Sequence, residues 1–122
     1  MRRVAAIVLA LLLAPVPVAA QSPAFQAYVE HAVESMGVLG EASGPDALMA
    51  WADDQLAWNI ANPPEPCYAE AFTRGVAVAE TVRAVAWMST DQGAAIVGSA
   101  YVTSVMEPAF EAWVAAAKAA RC

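Results

Sequence analysis

The stretch Asn62-Pro63-Pro64-Glu65-Pro66-Cys67 decides how this chain folds. It cannot lie inside a helix, because proline lacks the N–H that a helical hydrogen bond needs and its ring clashes with the preceding turn. Residues with helical spacing come before and after it, so the stretch predicts a hinge between two helices. The hinge ends in a cysteine, and the other cysteine of the chain is Cys122.

Alanine-rich segments with apolar residues at helical spacing flank the hinge and predict an all-α domain. The fold expected is a small four-helix bundle whose last helix is kinked or split at Pro108 and which one disulfide closes. Residues 94–106 carry no charge and include strand-forming residues, so a strand is the alternative there. The first predicted helix begins at Ser22-Pro23 and ends near Gly37, and the second begins at Ser43-Gly44-Pro45-Asp46 and ends at Ile60. The third runs from about Cys67 to Ser89, and the last from about 94 to 121.

The first twenty residues have the organisation of a signal peptide. Two arginines precede an apolar run, and Val18-Ala19-Ala20 is typical of a cleavage site. We therefore interpret residues 1–20 as a cleaved signal peptide and residues 21–122 as a single α-helical domain, periplasmic or secreted. Retention of the segment as a membrane anchor is the alternative, although two prolines shorten the apolar run. After cleavage we expect no membrane span.

Two cysteines in an exported chain of this size predict one disulfide, Cys67–Cys122, which closes a loop of 55 residues. If the third and last helices form an antiparallel hairpin that turns at Asp91-Gln92-Gly93, their lengths bring Cys122 back beside Cys67. A reversal at Pro108 would instead leave Cys122 far down the third helix. The expected bridge therefore favours a kink at Pro108.

Charge limits the classes of partner. Residues 21–122 hold four basic and twelve acidic side chains, a formal net charge of −8, which repels nucleic acid and anionic lipid. A protein partner in the cell envelope or a small apolar ligand fits better. The sequence carries no cofactor motif, and we expect no cofactor.

One short similarity lies within the chain: Pro23-Ala24-Phe25-Gln26-Ala27-Tyr28-Val29 resembles Pro108-Ala109-Phe110-Glu111-Ala112-Trp113-Val114. We expect the two segments to pack in equivalent environments. Chance in an alanine-rich chain is the alternative.

His31, with Glu30 and Glu34, is the weak candidate for a metal or catalytic site, because imidazole and carboxylate groups bind zinc. It is the only histidine, and both cysteines are expected in the disulfide, so a typical zinc set is incomplete. A solvated surface histidine is the favoured interpretation.

Five other side chains are candidates for binding or for a polar network between the second and third helices. Three of them are polar residues on or beside an apolar arc, where burial requires hydrogen-bonding partners. For Arg83, the charged residue among them, an exposed position at the edge of the bundle is the alternative. The other two are tryptophans, which are common in binding hot spots. The five are Gln55, Asn59, Arg83, Trp51 and Trp58.

These features favour a non-catalytic module that binds or inhibits a protein partner, or binds a small apolar ligand. A metal-binding bundle or an enzyme that uses His31, Glu30 and Glu34 is the alternative. The export signal, Cys67-Tyr68, Gly75-Val76 and Cys122 together loosely resemble the small periplasmic immunity proteins that block secreted peptidoglycan amidases. That resemblance implies inhibition of a partner.

Overall fold

A computed structural model describes residues 22–88 and 99–122 of the chain, without the side chains of 99–103. Within these residues the chain is all-α, as predicted, and none of them lies in a strand. None of these helices is long and apolar enough to cross a membrane. The elements are α1 (Pro23–Glu41), α2 (Gly44–Ala61), a 3₁₀ turn (Pro66–Tyr68), α3 (Ala69–Met88) and α4 (Ser99–Ala119).

Local chemistry sets the ends of the first two helices. The Ser22 hydroxyl accepts a hydrogen bond from the N–H of Phe25 at 3.1 Å, and proline follows at the first helical position. Contrary to expectation, Gly37 and Gly40 both lie inside α1, because each glycine costs a helix only about 1 kcal/mol and packing of the helix offsets that. Gly44 has φ 81°, a conformation that suits glycine, and α2 begins there.

The predicted disulfide is confirmed. Cys67 and Cys122 are bonded, and their Cα atoms lie 5.5 Å apart. Because Cys67 precedes α3 and Cys122 follows α4, and the two helices pack along each other, they form an antiparallel pair. The turn expected at Asp91-Gln92-Gly93 lies outside the described residues.

The last helix, predicted to be kinked or split at Pro108, runs through this proline as one helix, so it is not split there and the chain does not reverse. The strand alternative is wrong for residues 99–106, which are helical, and residues 94–98 are outside the described part of the chain. A helix is favoured over a strand here because α4 packs its apolar side against α3.

All four helices contribute large buried side chains to one core. On α1, the polar residue Ser35 is buried. Its hydroxyl donates to the carbonyl of Ala32 at 3.0 Å, so the polar group is satisfied within its own helix. The largest fully buried side chains are Phe25, Phe110, Met36, Leu39, Val78 and Val82.

The two similar segments do occupy equivalent environments. Phe25 and Phe110 are each 1% exposed, and Tyr28 and Trp113 are each 4% exposed. The segments also meet, because the indole N–H of Trp113 donates to the hydroxyl of Tyr28 at 2.8 Å. The matching aromatic positions are thus hydrogen-bonded partners between α1 and α4.

Candidate functional site

A surface groove lies between the end of α2, the proline hinge and α3, and we call it the α2–α3 groove. Its volume is about 440 Å³. The prolines that stop α2 also form one end of the groove, because they turn the chain away from the helix axis before α3 begins. The described side chains that line it are Leu56, Asn59, Ile60, Pro63, Pro64, Phe72 and Val76.

The walls of the groove are apolar but not covered by other parts of the described chain. Ile60 is 85% exposed, and Leu56, Phe72 and Val76 are half-buried. Asn59 is the one polar side chain among the described residues of the lining. An apolar concave surface with one amide is the usual composition of a binding site for an apolar group.

Next to the groove, a polar cluster is centred on Tyr28, whose ring centroid lies 6.4 Å from that of Phe72 in the groove lining. Its hydroxyl donates to the carbonyl of Ala71 at 3.0 Å and accepts from the indole N–H of Trp113. Burial raises the pKa of Tyr28 to about 12, although the hydrogen bond from Trp113 acts in the opposite direction. Gly75 lies against both side chains, since a Cβ there would be 2.7 Å from the Tyr28 hydroxyl.

Gln55 and Asn59 face this cluster and line a small internal cavity of about 10 Å³, roughly the space that one water molecule needs. Asn59 therefore borders both the cavity and the α2–α3 groove. Among the described residues, every buried side-chain nitrogen or oxygen has a hydrogen-bond partner. Of the polar residues on α2, Gln55 is hydrogen-bonded to His31 of α1, and Asn59 is partly exposed between the cavity and the groove.

His31 is held by α2 and is not a freely solvated side chain, contrary to the favoured interpretation. Its ring stacks on Trp58 with centroids 3.9 Å apart and planes 3° apart. Its Nε2 lies 3.0 Å from Oε1 of Gln55, within hydrogen-bond distance. The sequence of α1 alone does not reveal this contact, because α2 determines which part of α1 is covered.

Glu30 and Glu34 are both exposed. Glu34 and Asp54 line a cleft of about 210 Å³ that His31 also borders. Across residues 22–88 and 99–122, no three His, Cys, Asp or Glu side chains come together in a way that could hold a metal ion. The hydrogen bond between Nε2 and Gln55 also occupies one ring nitrogen of His31.

Arg83 forms an ion pair with Asp53 at 3.4 Å, and the two side chains are 54% and 53% exposed. Arg83 therefore lies at the edge of the bundle, which was the alternative interpretation, and does not belong to a buried polar network. Trp51 is 4% exposed, so it belongs to the core, where its indole N–H donates to the carbonyl of Ser35 at 2.8 Å. Trp58 is partly buried beneath His31.

Helical spacing places Leu56 and Ile60 on an apolar stripe of α2, and Phe72 and Val76 on an apolar face of α3, and it does not reveal the groove between them. The signal that indicates it is the presence of two apolar stripes on α2, one with Trp51 and one with Leu56 and Ile60. In the structure the first stripe packs in the core and the second borders the groove beside the proline hinge. No family model, curated protein or solved structure matches this chain.

Proposed function

We propose that this protein is a non-catalytic, exported binding module whose ligand site is the α2–α3 groove. One observation carries the proposal: apolar side chains form an open groove of about 440 Å³, with Ile60 85% exposed at its edge. Pockets that bind ligands have volumes of about 300–1,000 Å³ and mostly apolar walls. Exposed apolar surface has a free-energy cost in water that a bound apolar group removes.

The chemistry of the described lining residues fits binding better than catalysis. The aliphatic, proline and aromatic side chains supply dispersion contacts, and the amide of Asn59 supplies a donor and an acceptor. Neither kind of group transfers a proton or attacks a carbonyl at neutral pH. The signal-peptide pattern and the disulfide support a periplasmic or secreted location.

The test uses the neutral apolar fluorophore N-phenyl-1-naphthylamine with the oxidised protein, residues 21–122. We expect saturable binding to the wild type and loss of binding in Ile60→Asp. Because Ile60 is 85% exposed, the change should alter the free energy of unfolding by no more than about 0.5 kcal/mol. Val38→Asp is the matched control, since Val38 is a 59% exposed apolar residue on α1.

Equal binding by the wild type and Ile60→Asp would refute the groove as the site, and so would equal losses in Ile60→Asp and Val38→Asp. The alternative function has its own readout. If Zn²⁺ raised the melting temperature of the wild type but not of His31→Ala, the metal-binding bundle would replace the proposed module.

A further inference from the structure

We infer that the occupant of the α2–α3 groove is a short basic segment of a protein partner that carries one or two large apolar side chains. The inference rests on the proposed function. A small-molecule site normally buries 70–90% of its ligand. Here the groove is open and Ile60 at its edge is 85% exposed, so a small molecule would keep part of its surface in water and bind less tightly than an occupant that also covers the groove. A protein segment covers such a groove from outside with its own backbone and neighbouring side chains.

Charge around the groove selects a basic segment. Glu65 directly follows the proline pair, and Glu80 lies one helical turn beyond the groove on α3; both side chains are exposed. Arg83 is compensated by Asp53, 3.4 Å away. Arg74 is two residues from both Phe72 and Val76. Because two residues along a helix correspond to a rotation of about 200°, Arg74 lies on the side of α3 opposite to the groove. Glu65 accepts a hydrogen bond from the neutral hydroxyl of Ser22. No ion pair links Glu65 or Glu80 to a basic side chain within the part of the chain that the structure describes, so negative charge flanks the groove in a domain of formal net charge −8.

The size of the groove limits the segment to a short one. Leu56 and Ile60 are one turn apart on α2, and Phe72 and Val76 are one turn apart on α3, about 6 Å in each case. A long amphipathic helix would need apolar contacts over several turns. One or two anchoring side chains with flanking lysine or arginine match both the length and the charge of this surface.

The experiment selects random twelve-residue peptides on the oxidised wild-type protein, with counter-selection on Ile60→Asp. We expect the enriched peptides to carry leucine, phenylalanine or tryptophan next to lysine or arginine, and to displace N-phenyl-1-naphthylamine. The double variant Glu65→Gln, Glu80→Gln should bind them about two- to tenfold more weakly, as for two ion pairs at the edge of an interface. The double variant Glu107→Gln, Glu111→Gln on α4 has the same charge change and should leave affinity unchanged.

The outcomes separate this inference from the function on which it rests. If the fluorophore binds but no peptide depends on Ile60, the proposed groove stands and a protein partner is refuted. If the enriched peptides lack basic residues, or the variant at Glu65 and Glu80 binds as well as the wild type, the basic character is refuted. If neither probe depends on Ile60, the proposed function and this inference both fail.

Discussion

Gly75→Ala should destabilise the protein, although alanine is the better helix former. Gly75 lies within α3, where the hydroxyl of Tyr28 and the indole of Trp113 pack against its backbone. A Cβ at this position would lie 2.7 Å from the Tyr28 oxygen and 3.1 Å from Nε1 of Trp113. Neither ring can withdraw without breaking the hydrogen bond between them, which is 2.8 Å long.

Three contributions decide how much stability the protein loses in Gly75→Ala. Overpacking of a filled core costs about 1–3 kcal/mol, and loss of the Trp113–Tyr28 hydrogen bond costs about 1 kcal/mol. The gain from replacing glycine by alanine in a helix is about 0.5–1 kcal/mol. The net loss is about 2 kcal/mol, which corresponds to a fall in melting temperature of about 10 °C for a domain of this size.

The assay is urea unfolding followed by circular dichroism at 222 nm, with Gly37→Ala as the control. Gly37 lies within α1, and a Cβ there would meet nothing within 4 Å. The same chemical change should therefore stabilise the protein by about 0.5–1 kcal/mol at position 37. The two substitutions differ in what surrounds them and not in what they do to the unfolded chain.

Equal effects of Gly75→Ala and Gly37→Ala would refute the argument from close approach. A double-mutant cycle with Tyr28→Phe adds a second check, since it removes the atom that a Cβ at position 75 would meet. Tyr28→Phe alone should cost about 1–3 kcal/mol, because it leaves the buried N–H of Trp113 without its acceptor. In the Tyr28→Phe background, Gly75→Ala should cost clearly less than in the wild type.

Three further predictions concern the disulfide, the buried tyrosine and the surface ion pair. Cys67→Ser, or reduction, should destabilise the protein by about 4 kcal/mol, because the bridge closes a 55-residue loop; an unchanged melting curve under reductant would contradict this. The pKa of Tyr28 is about 12 in the folded protein against 10.0 ordinarily. The folded protein thus keeps the proton to higher pH than the unfolded chain, and about 2 kcal/mol of stability should be lost as pH rises from 9 to 11.5. Urea unfolding at pH 9 and pH 11.5 measures this loss, which should be smaller in Tyr28→Phe. Arg83→Ala should change the free energy of unfolding by less than about 1 kcal/mol, because the side chains of Arg83 and Asp53 are both about half-exposed. A larger loss of stability in the same urea assay would contradict this.

The candidate site was only partly predictable from sequence. Asn59 was singled out because an amide beside an apolar arc needs a partner, and it does border the groove and the internal cavity. The helical spacing of Met49, Leu56 and Ile60 predicts a buried stripe on α2, yet Ile60 is 85% exposed. Helical periodicity identifies an apolar face, but it does not say whether another helix covers that face. The exposed position of Arg83 was undecided for the same reason.

The sequence by itself determined the hinge, the all-α class and the disulfide. Proline excludes a helix through local covalent geometry, alanine favours one through local propensity, and the two cysteines leave a single intrachain pairing. Only the tertiary structure decided that His31 stacks on Trp58, that Gly75 must lack a side chain, and that an apolar groove remains open beside the hinge. These features depend on which helices lie against each other and at what distance, and contacts between residues far apart in the chain set both.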